Sequence, residues 1–169
     1  GKGPMALART PWSCLRNVLT WDDRDVVQVR TGGVMKAVRL HRYEERPVVE
    51  EVAEPEASGP YDVVVRVGGA GLCRTDLHII EGQWAAKSNV ALPCTMGHEN
   101  AGWIHAVGPA VEHVQPGDAV ILHPLVTCGF CRACRAGDDV HCEASAFPGI
   151  DSDGGMADLI RTSARSVVK

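Results

Sequence analysis

The sequence lacks long apolar runs and is poor in Phe and Tyr, with two of each among 169 residues. No segment approaches the ~20 apolar residues that a membrane-spanning helix needs. The first residues make a poor secretory signal, because Pro11, Ser13, Arg16 and Asn17 interrupt them. The formal net charge of -4, without a basic stripe, argues against nucleic acid as the main partner. These absences predict a cytoplasmic globular protein that binds neither membrane nor nucleic acid.

The N-terminal part differs in charge from the rest of the chain. Residues 1–34 carry net +2, whereas the remaining residues carry net -6. From Met35 onward, apolar and polar residues alternate, as in a strand. We therefore expect a domain over 35–169 after an extension over 1–34 that is tag-derived, mis-started or disordered. The alternative is a natural amphipathic arm with weak apolar periodicity at Leu15, Val18 and Leu19.

Short apolar segments between frequent Gly and Pro turns indicate a mainly β, barrel-like unit. Strands are predicted over 35–40, 48–52, 61–67, 102–107, 118–123 and 156–161, and a short helix over 74–81. The sequence has no G-x-G-x-x-G, because Arg74 stands where the third Gly of the run beginning at Gly69 is required. No nucleotide-binding βαβ unit is therefore expected within these residues.

Four of the seven cysteines lie within fifteen residues, at Cys128, Cys131, Cys134 and Cys142. Two-residue gaps allow consecutive thiolates to surround one ion, which predicts a closed structural zinc site. Arg132 and Arg135 offer positive charge beside it, and His141 is predicted to be a surface residue. Disulfides between cysteines this close would be strained. Free thiols and iron–sulfur ligation also remain open for this spacing.

A second set of metal-ligating residues combines Cys73, His98 and Glu99. Thiolate, imidazole and carboxylate together suit a catalytic zinc, which keeps three protein ligands and one open position. Asp76 is predicted to hold the free N–H of His98 and thereby to set its tautomer.

Two further residues beside this set can move a proton. The Thr75 hydroxyl is two residues from the Cys73 thiolate, and His78 can carry a proton to solvent. The alternative for Thr75 is a helix N-cap. Elsewhere, Cys94 is predicted to be a buried small hydrophobe.

Three motifs in order resemble the catalytic domain of zinc-dependent medium-chain alcohol dehydrogenases. They are G-x-C-x-T-D-x-H over 71–78, G-H-E-x-x-G over 97–102 and the four-cysteine lobe. The resemblance runs from about Met35 to Lys169 and includes two further landmarks, over 116–120 and 153–158. It implies a GroES-like, partly open β-barrel with short helices and a zinc-bound lobe.

The resemblance also implies roles for single residues. Cys73 and His98 match the catalytic zinc ligands, with Glu99 as an exchangeable ligand, and the four lobe cysteines match the structural zinc ligands. Thr75 and His78 match a proton relay, and Arg74 matches a contact to the pyrophosphate of NAD or NADP. The expected substrates are small alcohols, aldehydes and ketones, and the full-length parent is expected to be a homo-oligomer.

The sequence departs from the family pattern at its end. In the family, a nucleotide-binding domain follows, and a further Cys or Asp zinc ligand lies shortly beyond the position of Lys169. The chain is therefore expected to be an inactive fragment whose parent transfers hydride between alcohols and NAD(P). The alternatives are a non-catalytic zinc-binding structural or interaction module of the same fold, and a non-zinc relative such as a quinone reductase. Such non-zinc relatives generally lack the thiolate ligands.

Overall fold

The computed structural model describes residues 32–83, 85–86 and 90–169. The first strand begins at Val34, one residue before the predicted start. The predicted N-terminal extension lies outside the described residues up to position 31.

Within the described ranges the chain is mainly β, as predicted, with short helices between strands. The strands are β1 (Val34–Leu40), β2 (Val48–Ala53), β3 (Asp62–Gly71), β4 (Cys94–Thr95), β5 (Glu99–Val107), β6 (Ala119–Leu122), β7 (Leu159–Ser163) and β8 (Val167–Val168). The α-helices are α1 (Arg74–Ile80) and α2 (Arg132–Arg135), and 3₁₀ helices span Asp139–His141 and Ala164–Ser166.

Two antiparallel sheets form a partly open barrel. One has the order β2-β1-β4 and the other the order β7-β3-β5-β6-β8. The main core lies on the larger sheet, where inward-facing aliphatic side chains such as Val63, Val65 and Ile104 are buried. Because successive side chains of a strand point to opposite faces of the sheet, the remaining side chains of each strand face solvent or the second sheet.

A second cluster packs α1 against the smaller sheet. It contains Leu40, Ile79, Cys94, Met96 and Ile150, all buried. This confirms the prediction for Cys94, and burial raises the pKa of its thiol. The cluster places α1, which begins beside Cys73, against the strand that leads to His98.

The predicted strand over 156–161 is displaced in the structure. Strand β7 begins at Leu159, because residues 156–158 cross between the sheets and bond to both sides. Asp158 N–H donates to the carbonyl of Lys36 in β1 at 3.0 Å, and the Asp158 carbonyl accepts from the N–H of Val67 in β3 at 2.9 Å. No helix among the described residues combines the length and apolar character needed to cross a membrane.

Candidate metal centres

The pairing of β3 with β5 brings Cys73 and His98 together. In this register Gly71 lies opposite Glu99, so each strand delivers a ligand at the same edge. Cys73 Sγ lies 3.1 Å from His98 Nε2. One ligand atom from each of Cys73, His98 and Glu99 lies within 4.8 Å of the other two. The three predicted residues therefore form one cluster, with His98 buried and Glu99 exposed.

Two glycines in the predicted motifs allow this close approach. A Cβ on Gly71 would lie 2.5 Å from Oε2 of Glu99, in the space of that carboxylate. A Cβ on Gly102 would collide with the backbone of Arg66 on the neighbouring strand. The glycine spacing in both motifs is therefore a packing requirement of the cluster.

Cys73 is also the N-cap of α1. Its sulfur accepts a hydrogen bond from Thr75 N–H at 3.2 Å, and Asp76 Oδ2 accepts one from Cys73 N–H at 2.8 Å. Together they form a reciprocal capping box. The alternative interpretation of Thr75 as the N-cap is wrong, because the chain leaves β3 in an extended conformation at Cys73 and turns helical at Arg74.

Asp76 lies beside the second nitrogen of His98. The Asp76 side chain is 0% exposed and that of His98 is 7% exposed. Asp76 Oδ1 is 3.5 Å from His98 Nδ1, and neither atom has a hydrogen-bond partner within the usual distance. His98 thus directs Nε2 to the Cys73 sulfur and Nδ1 to a buried carboxylate, which is the arrangement typical of metal-ligating histidines.

The loop over 153–156 holds the segment before His98. Three backbone hydrogen bonds of 2.8 Å join it to residues 95–97. Asp153 Oδ1 accepts bonds from the Arg39 guanidinium and from a backbone N–H of this segment, both at 2.7 Å. The His98 ring also packs edge-on against Phe147, with centroids 5.7 Å apart. The sequence pattern did not identify Phe147 as part of the site.

The predicted relay residues share one side of α1. Thr75 and His78 are both half-buried, and a spacing of three residues places them on the same helix face. His78 Nδ1 lies 3.6 Å from the Glu81 carboxylate. Arg74, the predicted cofactor contact, is exposed at the first position of the helix.

The four lobe cysteines form a separate cluster, in which the sulfurs of Cys128, Cys131, Cys134 and Cys142 all lie within 4.8 Å of one another. Cys128 Sγ is 3.6 Å from Cys142 Sγ and 4.0 Å from Cys134 Sγ. A tetrahedron with Zn–S bonds near ~2.3 Å separates its sulfurs by about 3.8 Å. The cluster therefore fits a single ion, and all four cysteines are free, since a disulfide would join two sulfurs at about 2.05 Å.

Backbone N–H groups point at the lobe sulfurs. Phe130 and Cys131 N–H both donate to Cys128 Sγ at 3.4 Å. Bonds of this kind, from Cys134 and Glu143, hold the pKa of Cys131 at about 6. The pKa of Cys134 is raised instead, chiefly by burial. The lobe thus favours thiolate at part of its cluster, and thiolate is the form that binds metal.

Arg165 contacts the lobe, and the sequence pattern did not identify it. Its Nη2 lies 2.8 and 2.9 Å from the two carboxylate oxygens of Asp139. Arg132 and Arg135 are exposed on α2. His141 is exposed, as predicted, and lies 2.9 Å from the Asp138 carboxylate.

Comparison with known proteins gives a consistent result. Residues 59–169 match the alcohol dehydrogenase GroES-like domain. An alcohol dehydrogenase from Geobacillus stearothermophilus is 39% identical over 136 residues, which cover 80% of this chain and 40% of that protein.

Two solved structures show the same fold. The alcohol dehydrogenase of the hyperthermophilic archaeon Aeropyrum pernix matches with a TM-score of 0.77 and 52% identity, covering 79% of this chain and 39% of that chain. A cobalt- and zinc-bound thermostable alcohol dehydrogenase from Pyrobaculum aerophilum matches with a TM-score of 0.72 and 30% identity, covering 80% and 41%.

The chain spans about 40% of the length of these relatives. The family match covers well over half of the chain, and it includes every residue of both clusters. The order of the motifs and the barrel agree with it. The chain belongs to the zinc-dependent medium-chain alcohol dehydrogenase family, of which it contains the GroES-like domain.

Proposed function

We propose that this chain is the catalytic, metal-binding domain of a dehydrogenase that interconverts small alcohols with aldehydes or ketones by hydride transfer to NAD or NADP. The observation that carries the proposal is the cluster of Cys73, His98 and Glu99, with Cys73 Sγ and His98 Nε2 3.1 Å apart. A purely structural zinc module needs a closed site and has no use for this second set of ligands, one of which, Glu99, is exposed.

In this proposal Cys73, His98 and Glu99 hold the catalytic zinc. Glu99 is exposed and is therefore the ligand that can exchange with substrate. The pairing of His98 Nδ1 with Asp76 fits a metal on the opposite nitrogen, since a coordinating imidazole donates its free N–H to a carboxylate. Zinc in such a site supplies Lewis acidity towards alcohol and carbonyl oxygens. The four lobe cysteines hold a second, structural zinc.

The residues of α1 supply the proton path. The Thr75 hydroxyl accepts the proton of the substrate hydroxyl and at the same time gives up its own proton, which His78, on the same face of the helix, passes towards solvent. An imidazole suits this step because it gains and loses a proton near neutral pH. The Glu81 carboxylate, 3.6 Å from His78 Nδ1, places a negative charge beside the ring without a hydrogen bond to it.

Nicotinamide binding requires more than these residues. The exposed Arg74 is placed to meet the cofactor pyrophosphate, but a single exposed charge gives at most about 1 kcal/mol and no orientation. Residues 1–169 contain no G-x-G-x-x-G turn to hold a pyrophosphate at a helix N-terminus. The proposal therefore includes a separate nucleotide-binding domain as the partner of this one, and the 169-residue chain alone is expected to show no turnover.

Metal analysis followed by an activity assay tests the proposal. The purified chain is expected to hold two zinc ions, and Cys73→Ser to hold one. In an enzyme that joins this domain to its nucleotide-binding partner, NAD(P)-linked absorbance with simple alcohols is expected to show turnover. There Thr75→Ala lowers kcat with unchanged zinc content, whereas Thr75→Ser, which keeps the hydroxyl, retains most activity. A zinc-loaded enzyme inert towards every alcohol and carbonyl tested would favour the non-catalytic module.

A further inference from the structure

We infer that Arg165 is the counterion of the four-cysteine lobe and that it slows the loss of the ion held there. The inference rests on the proposed structural zinc of that lobe. The contacts of Arg165 with Asp139 and Thr127 carry it.

The backbone beneath Arg165 is fixed to the barrel. The flanking residues Ala164 and Ser166 are buried, and Ala164 belongs to the main core. Ser166 Oγ donates to the Leu125 carbonyl at 3.1 Å, and the Ser163 hydroxyl accepts the Arg165 N–H at 3.3 Å. The guanidinium therefore extends towards the lobe from a rigid base.

The side chain of Arg165 bridges the two ends of the lobe. Arg165 Nε donates to Thr127 Oγ1 at 3.1 Å, immediately before Cys128. Arg165 Nη2 donates to both Asp139 oxygens, three residues before Cys142.

The charges around the lobe explain what the Arg165 contacts do. One divalent ion with four thiolates carries a formal charge of about -2. The Asp139 carboxylate, which also accepts from Thr127 Oγ1 at 3.4 Å next to Cys128, adds a further negative charge beside the cluster. Thiolates and a carboxylate this near one another repel, and the Arg165 guanidinium, bonded to Asp139 and to Thr127 next to Cys128, is placed to offset both charges.

If Arg165 is a structural tether, replacing Asp139 should have a different effect than if Arg165 is a counterion. If the ion pair only tied the lobe to the barrel, losing either partner would loosen the lobe. If Arg165 acts as counterion, removing the Asp139 carboxylate also removes repulsion from the thiolates. Asp139→Asn then holds the ion at least as well as the wild type, and it compensates in part for the loss of Arg165.

The test measures zinc release from the 169-residue chain into an excess of chromogenic chelator. All variants carry Cys73→Ser, so that the lobe is the one proposed site left intact. Arg165→Met is expected to release zinc about tenfold faster. This is the lower end of the ~10- to 100-fold loss of metal affinity typical for residues that support metal ligands. We choose the lower end because the Arg165 side chain is 43% exposed. Asp139→Asn is expected to release no faster than its parent, and the double variant to fall within about threefold of it. Arg161→Met removes an arginine from neighbouring β7 and is expected to change nothing.

Release from Arg165→Met at the parental rate would overturn the inference. Faster release from Asp139→Asn would also overturn it and would identify a tether, and this result does not depend on whether Arg165→Met folds. A chain that holds no zinc under reducing conditions would instead refute the proposed structural site itself.

Discussion

Asp76 links two of the three proposed ligands of the open site, Cys73 and His98, so replacing it by Asn should weaken metal binding there. The side chain is fully buried, with Oδ2 2.8 Å from Cys73 N and Oδ1 3.5 Å from His98 Nδ1. Asn keeps the shape but offers one oxygen where the carboxylate offers two. Its NH₂ group must therefore face one of the two N–H donors.

The magnitude follows from the loss of one supporting interaction. Substituting the outer partner of a ligating histidine typically costs 10- to 100-fold in metal affinity, which equals roughly 1.4–2.7 kcal/mol. The 3.5 Å separation of Asp76 Oδ1 and His98 Nδ1 is longer than the ~2.7–2.9 Å of a charge-assisted bond. That length favours the lower half of the range, whereas the buried unpaired donor created by Asn favours the upper half.

A zinc-competition titration of the 169-residue chain measures the effect, with the lobe site as an internal reference. The matched control is Asp62→Asn. Asp62 Oδ2 accepts a backbone N–H three residues earlier, from Gly59 at 2.8 Å, as Asp76 does from Cys73. Asp62 is outside both ligand clusters, so this control should leave both affinities unchanged.

Unchanged affinity of the open site in Asp76→Asn would refute the argument. It would mean that His98 binds metal without help from the carboxylate. Equal losses at both sites, or an equal loss in Asp62→Asn, would indicate general destabilisation.

Three shorter predictions concern other parts of the domain. Gly71→Ala places a Cβ 2.5 Å from the Glu99 carboxylate, so open-site zinc affinity should fall while lobe zinc, measured in the same titration, stays. Cys131→Ser should abolish lobe zinc and increase hydrogen exchange over 128–142, because metal binding and local folding share one free energy. The Lys169 ammonium, 2.8 Å from Asp118, lowers the pKa of that carboxyl. The ion pair thus stabilises the fold above the ordinary carboxyl pKa, and this stabilisation is lost as the pH falls from that value through the lowered pKa of Asp118. Between pH 5 and 3, Tm should therefore fall more steeply for wild type than for Asp118→Asn.

Features encoded by local sequence were predictable. The four-cysteine spacing indicates a cluster because two-residue gaps let neighbouring sulfurs converge. The helix predicted over 74–81 is α1, within one residue, and its residues Ile79 and Ile80 pack in the second core cluster. The mainly β class likewise follows from the density of turns.

Features that depend on contacts between residues distant in the sequence were not predictable. Strand β4 has two residues and exists because β1 pairs with it. Arg165 and Asp139 are 26 residues apart, and neither has a local signal that points to the other. The role of Gly71 is similar: the structure places it at the end of β3, and its close approach to Glu99 depends on the β3–β5 register.

The distinction between local and long-range contacts also predicts the order in which the two centres lose metal. The lobe ligands lie within fifteen residues and are closed by turns of their own. The open site depends on the β3–β5 pairing, on the 153–156 loop and on α1, so partial opening of any of them separates its ligands. In low urea with a weak chelator, we expect half of the zinc to leave in a fast phase, and Cys73→Ser to lack that phase. A single phase, or a fast phase that persists in Cys73→Ser, would show that the sheet holds its ligands as firmly as the local turns hold theirs.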